Sequence, residues 1–168
     1  MDTPTANTKS WISDFVIRHN MCPFAKFPFD KDSIYYLELE DQSLPEYLEA
    51  IYLSCKLVNE SSQFSTGFVI FNSADVDFEL ILDMKLMMND LLEKSELAGV
   101  FQLVPFHPQF RFEGMEDNSP LHRVNQSPYP MLHILAEDDV SKAKETYGDT
   151  QKILTENQET LIKLSGQE

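Results

Sequence analysis

Residues Gly99 to Leu135 read GVFQLVPFHPQFRFEGMEDNSPLHRVNQSPYPMLHIL. This stretch holds three of the four histidines, five of the nine prolines and two hydrophobic runs, Val100–Phe106 and Tyr129–Leu135, that predict strands. Alternation along the second run places Tyr129 and His133 on one face. Imidazoles and stiff turns therefore concentrate in one part of the chain, and the long loop between the two strands is the predicted location of a functional site.

The segments before this stretch alternate between predicted helices and strands. The pattern predicts an N-terminal helix capped at Thr8 or Ser10 and ended by Pro23, a strand at Ile34–Glu40, a helix opened by the capping box Ser43–Glu46, a buried strand at Thr66–Phe71, and a helix from Val76 to about Glu96 capped by Ser73 or Asp75. Helices also follow the last strand. We therefore expect an α/β fold, with α+β as the alternative, built on a four-stranded mixed sheet whose fourth strand runs antiparallel.

Length and charge limit the possible partners. At 168 residues and 42% hydrophobic, the chain suits a single domain over 1–168, with 1–8 and about 150–168 as candidate flexible ends. The net charge of -15 argues against nucleic acid and anionic membrane surfaces as partners. The first ten residues lack the basic start and apolar run of a secretory signal. We expect a cytoplasmic protein with Cys22 and Cys55 as free thiols, and the sequence predicts no oligomeric state.

Three motifs carry a family resemblance. They are Asn20-Met-Cys-Pro-Phe-Ala25, Phe106-His-Pro-Gln-Phe-Arg-Phe112 with Gly114, and Asn125-Gln-Ser-Pro-Tyr-Pro-Met-Leu-His-Ile-Leu135. In sequence, order and spacing they resemble the family called domain of unknown function 1415, over about residues 10 to 140. The first motif is also similar to the active-site start of omega-class glutathione transferases, where a strand precedes the cysteine, whereas the pattern here is helical.

The family resemblance implies no particular reaction, but it selects candidate residues. Those on motif positions are Cys22, His107 and His133 as catalytic candidates, with Asn20, Asn125, Ser127 and Tyr129 as substrate-binding candidates. This chain has Gln126 and Ala136 where the family has arginines. If those arginines bind an anionic substrate in the family, this protein lacks these contacts and either does not bind that substrate or binds a different one.

Three functional hypotheses remain open from the sequence. The first is a small-molecule pocket or thiol enzyme in which Cys22 is the nucleophile and His107 or His133 the base. Because the C-terminal end of a helix raises the pKa of a thiol, Lys26 or a histidine would have to activate Cys22. The second is a divalent-metal site using His107 and His133, although their spacing matches no standard ligand motif. The third is a binding or accessory protein, in which His107 caps a turn and His133 donates a hydrogen bond from a half-buried sheet face.

Overall fold

The computed structural model describes residues 2–148 and 150–166. Within them the helices are α1 (Pro4–Trp11), α2 (Lys26–Asp30), α3 (Leu44–Glu60), α4 (Phe78–Glu93), α5 (Glu137–Tyr147) and α6 (Thr150–Ser165), with a π-helical segment at Ile12–Ile17 and a 3₁₀ turn at Pro120–Val124. The strands are β1 (Ile34–Leu39), β2 (Thr66–Phe71), β3 (Phe101–Phe106) and β4 (Met131–Ala136). The predicted four-stranded sheet packed with helices is confirmed.

The four strands lie in the order β1-β2-β4-β3. β1 and β2 are parallel, and β4 is antiparallel to both of its neighbours, as predicted for the fourth strand. β3 lies at an edge, where Pro105, which lacks an N–H, is tolerated. The loop after β3 thus returns the chain to the middle of the sheet, so that His133 is flanked by Phe68 on β2 and Val104 on β3.

Each face of the sheet has its own apolar cluster. On one face, α3 and α4 cover side chains that include Val69, Leu132 and Ile134. On the other face, α1 and the π-helical segment lie over Phe68, Ile70, Met131 and their neighbours. All six residues of β2 are buried, which confirms the prediction of a strand covered on both sides.

Local capping signals explain where the helices begin. The predicted capping box is present, because Glu46 accepts hydrogen bonds from Ser43 at the start of α3. The caps predicted for α1 (Thr8 or Ser10) and for α4 (Ser73 or Asp75) are wrong. Thr3 caps α1 ahead of Pro4, which suits the first turn, and Asp77 caps α4.

The C-terminal helix α6 packs on the N-terminal part of the chain. Leu161 is fully buried in a third cluster with Val16 and Met21. The candidate flexible ends therefore include helical residues, 4–8 in α1 and 150–165 in α6, while residues 1, 149, 167 and 168 lie outside the described part. No helix in the described ranges is both long and apolar enough to cross a membrane.

Candidate functional site

His107 is held by the main chain on both sides of its ring. Its Nδ1 accepts a 3.0 Å hydrogen bond from the N–H of Gln109, so the proton lies on Nε2, which donates to the carbonyl of Val76 at 3.1 Å. The side chain is buried. With both nitrogens engaged, His107 fixes the turn after β3 to the segment that precedes α4.

His133 lies half-buried on β4 and is ordered by Thr66. The Thr66 hydroxyl donates to the carbonyl of Ile134 at 2.7 Å, so it accepts from Nε2 of His133, also at 2.7 Å. The imidazole stacks on Phe68 with ring centroids 4.3 Å apart. Burial lowers the pKa of His133 to about 4. The ring is therefore neutral at pH 7, with Nε2 as its N–H donor.

His107 and His133 contact opposite faces of the sheet. The His107 ring packs beside Phe78 at the start of α4, whereas His133 packs against Phe68 in the cluster under α1. In the part of the chain that the structure describes, no group of three or more His, Cys, Asp or Glu side chains is placed to hold a metal ion. The predicted divalent metal therefore does not fit His107 and His133 as they are arranged.

His122 has the same kind of environment as His107. Its Nδ1 accepts from the N–H of Phe112 at 3.0 Å, and Nε2 donates to the carbonyl of Glu116 at 2.8 Å. The buried ring also stacks on Phe112. These bonds close the long loop upon itself, and they leave neither nitrogen of His122 for a ligand.

Three of the substrate-binding candidates bind protein groups. Nδ2 of Asn125 donates to the carbonyl of Pro105 at 3.0 Å, and the Ser127 hydroxyl donates to the carbonyl of Tyr129 at 2.6 Å. The Tyr129 hydroxyl accepts from Nδ2 of Asn7 at 2.9 Å. These bonds join the end of β3, the start of β4 and α1.

Asn20 and Cys22 lie in the turn after the π-helical segment. Asn20 is exposed and has φ of 52°, a left-handed conformation that asparagine tolerates better than most residues. Cys22 is exposed as a residue, yet partial burial of the thiol raises its pKa, against the lowering effect of hydrogen bonds from the main chain at Phe24 and Ala25. Lys26, one of the predicted activating groups, forms an ion pair with Asp30. No hydrogen bond joins Cys22 to His107 or His133 among the described residues.

The long loop and α6 form the walls of a cleft of about 390 Å³. Its lining residues are Asp117, Asn118, Ser119, Pro120, His122, Arg123, Gln126, Ile162 and Ser165. The long loop, in which the sequence predicts a functional site, thus forms one wall of this cleft. Sequence reasoning missed Ile162 and Ser165, because no local pattern indicates where a C-terminal helix will dock. Among the residues that line the cleft, Gln126 is the one that the sequence singles out, because it stands at a motif position where the family has arginine.

Two polar side chains of the cleft contact neighbouring segments of the chain. The Arg123 guanidinium lies over the ring of Phe15, 5.6 Å from its centroid. Nε2 of Gln126 donates to the carbonyl of Phe110 at 3.1 Å. Ala136, the other departure from the family pattern, is the last residue of β4 and is not among the residues that line the cleft.

Comparison with known families places the chain. Residues 3–168 match the model described as Protein of unknown function (DUF1415). The chain belongs to this family. The predicted family membership is thereby confirmed, and the match covers nearly the whole of this DUF1415 protein. Searches of curated proteins and of solved structures return no match.

Proposed function

We propose that this DUF1415 protein binds a small polar molecule in the cleft between the long loop and α6. The cleft carries the proposal: at about 390 Å³ it falls within the size range of small-molecule sites, and its walls combine hydroxyl, amide and charged groups with the apolar Ile162. The proposal includes neither nucleic acid nor a membrane surface as a partner, since the net charge is -15.

The loop wall of the cleft is ordered before any ligand arrives. Hydrogen bonds from His122 and Gln126 to main-chain groups hold the loop, and Asn125 ties its end to β3. A preorganised wall lowers the conformational entropy lost on binding. The motif residues His107, Asn125 and Ser127 support such binding by fixing the loop, which favours the binding-protein hypothesis over a shared Cys/His catalytic centre.

A thiol activity of Cys22 is the second candidate. Its exposure and the main-chain hydrogen bonds from Phe24 and Ala25 support it, while the raised pKa of the thiol opposes it. We also propose a cytoplasmic location, which is supported by the two free cysteines of the described chain.

Two residues of α6 offer a matched test of the binding site. Ile162 and Leu154 are both 53% exposed, but only Ile162 lines the cleft. A ligand-observed NMR screen of small polar fragments is expected to find binders whose signals respond equally to wild type and Leu154→Trp. Ile162→Trp should weaken these responses, because the larger indole occupies part of the cleft. Fragments that bind all three proteins alike, or no binders at all, would overturn the proposal.

A further inference from the structure

β1 is an edge strand of the sheet, and half of its main-chain groups point away from β2. The carbonyl of Leu39 accepts a 2.8 Å hydrogen bond from the N–H of Asn72, and the carbonyl of Ser33, just before β1, accepts a 2.9 Å bond from the residue that precedes β2. Main-chain groups alternate in direction along a strand, so the odd-numbered residues of β1 bond to β2. The even-numbered residues Tyr36 and Glu38 therefore direct their N–H and C=O groups outward.

These outward groups have no partner in the part of the chain that the structure describes. No hydrogen bond from those residues reaches the main-chain N–H or C=O of Tyr36 or Glu38. Glu38 is exposed and Tyr36 is partly exposed. Since main-chain groups without a protein partner are almost always hydrated, the edge presents two donors and two acceptors to an incoming strand. An extended backbone is the partner whose own N–H and C=O groups match their spacing.

Part of the opposite edge of the sheet is closed. Pro105 on β3 has no N–H, and its carbonyl accepts a 3.0 Å hydrogen bond from Nδ2 of Asn125. Just after β3, the main chain of His107 exchanges hydrogen bonds with Asn125 and Ser127 in the loop. β1 is therefore the edge better suited to the addition of a strand.

The charges beside β1 indicate what kind of segment binds there. Residues 30–41 contain five carboxylates and one lysine. Glu38 accepts a hydrogen bond from the N–H of Thr5 through Oε1, and it forms no ion pair with the described residues. A second copy of this chain would bring the same carboxylates together, with a net charge of -15 on each copy. A basic segment has the complementary charge.

The two faces beside β1 differ in character. On the face covered by α1, Lys9 lies over the ring of Tyr36, and the Glu38 carboxylate follows two residues later. On the face covered by α3 lie Tyr35 and Leu37, both partly exposed. Because side chains of an added strand alternate between the same two faces, its cations would lie opposite Glu38 and its apolar residues beside Leu37.

We propose that the β1 edge binds an extended segment of another protein in which lysine or arginine alternates with apolar residues. The segment becomes a fifth strand, bonded to the main chain of Tyr36 and Glu38 and paired in charge with the Glu38 carboxylate. This interaction goes beyond the small-molecule cleft, since β1 contributes no residue to the lining of that cleft.

Two peptides test the charge preference. The lysine peptide is acetyl-GVKVKVG-amide, and the glutamate peptide is acetyl-GVEVEVG-amide. Titration of the lysine peptide into the ¹⁵N-labelled full chain should shift the amides of residues 34–39. We expect the glutamate peptide to bind at least about tenfold more weakly, because its charge has the same sign as that of the edge.

N-methylation of the lysine peptide tests strand pairing itself. One form carries methyl groups on the two lysine amides, and the other carries them on the three valine amides. Only one alternate set of N–H groups faces the neighbouring strand. Methylation of that set should abolish binding, whereas methylation of the other set should leave it nearly unchanged.

A matched pair of variants assigns the charge contribution. Glu38→Gln should weaken the lysine peptide about threefold at low salt, and this difference should shrink at about 0.5 M salt. Glu93→Gln removes the same charge at the exposed end of α4, which packs over β3, and should leave the affinity unchanged. Amide spectra of the free variants check that each one is folded.

Several results would overturn the proposal. They are equal weakening by both methylated peptides, equal binding of the lysine and glutamate peptides, and shifts that leave β1 unaffected. No shift at about 1 mM lysine peptide, enough to detect a millimolar dissociation constant, would also overturn it. A wild type that sediments as a dimer, with the amides of Tyr36 and Glu38 protected from hydrogen exchange, would assign the edge to a second copy instead.

Discussion

Nδ2 of Asn157 on α6 donates a 2.9 Å hydrogen bond to the main-chain oxygen of Met21, across 136 positions of the sequence. Both residues are buried. This bond and the packing of Leu161 hold α6 against the segment that contains Cys22, and so they place Ile162 and Ser165 opposite the long loop. The cleft exists because α6 docks here.

Removal of the Asn157 amide should loosen α6. Asn157→Ala leaves the buried Met21 oxygen without its donor, and we expect a loss of about 1–3 kcal/mol in unfolding free energy. Urea denaturation measures the loss, and hydrogen exchange should quicken at the amides of α6. Gln158→Ala, on an exposed neighbour, should change stability by less than about 0.5 kcal/mol. Equal stability of the two variants would contradict the structural role.

Protonation of His133 should destabilise the fold in mild acid. Burial lowers its pKa to about 4, whereas an unfolded chain has a histidine pKa near 6.5. The unfolded state therefore binds more protons between these values, and stability falls as the pH falls through this window. Relative to His133→Gln, wild type should lose about 3 kcal/mol between pH 7 and pH 4. If the unfolding free energies of the two proteins, measured in urea, change in parallel with pH, the pKa of His133 is the same in the folded and unfolded states and the prediction fails.

Loss of the His107 ring should lower the unfolding free energy far more than loss of the His19 ring. His107→Ala leaves the Val76 carbonyl and the Gln109 N–H without partners, with an expected cost of about 3–5 kcal/mol including packing. His19→Ala should cost less than about 1 kcal/mol, because its ring packs beside Phe15 and makes no side-chain hydrogen bond with the described residues. Added zinc should leave the melting temperature of wild type unchanged. A zinc-dependent rise that disappears in His107→Ala would restore the metal hypothesis.

The two cysteines should differ sharply in reactivity. Cys55 is fully buried and burial raises its pKa to about 12, so iodoacetamide should modify it only after unfolding. Cys22 is exposed and should react in the native state, but with a rate that still rises at about pH 9, since its pKa is also raised. Mass spectrometry of the alkylated protein reads both sites. A Cys22 rate that is already constant at pH 7 would support the thiol enzyme instead.

The role of Asn20 should be to allow the left-handed backbone conformation of the turn, and not to bind a ligand. Its φ of 52° suits glycine, so Asn20→Gly should retain nearly full stability. Asn20→Ala should cost about 1 kcal/mol, because a Cβ without a compensating polar group is strained in the left-handed region. Urea denaturation gives both values. If Asn20→Gly keeps its stability but loses fragment binding, Asn20 contacts the ligand after all.

Part of the candidate site could be read from the sequence. The sequence places His107 and Asn125 in one long loop and His133 on the strand that follows it, and the structural alternative for His107 as a turn cap matches its hydrogen bond with Gln109. Cys22, His107 and His133 are not among the residues that line the described cleft. Alternation predicts which face of a strand carries His133, but the face reached by His107 depends on how the chain turns after β3 and meets Val76.

Features that depend on neighbours along the chain can be read from the sequence alone. The capping box at Ser43, the buried run Thr66–Phe71 and the missing N–H of Pro105 act over a few residues, and each carries its own local free-energy preference. The partners of the imidazoles and the cleft itself arise from contacts between distant elements of the fold. Those depend on contacts such as Asn157 with Met21, whose formation follows from the packing of whole elements and leaves no periodic signal in the chain.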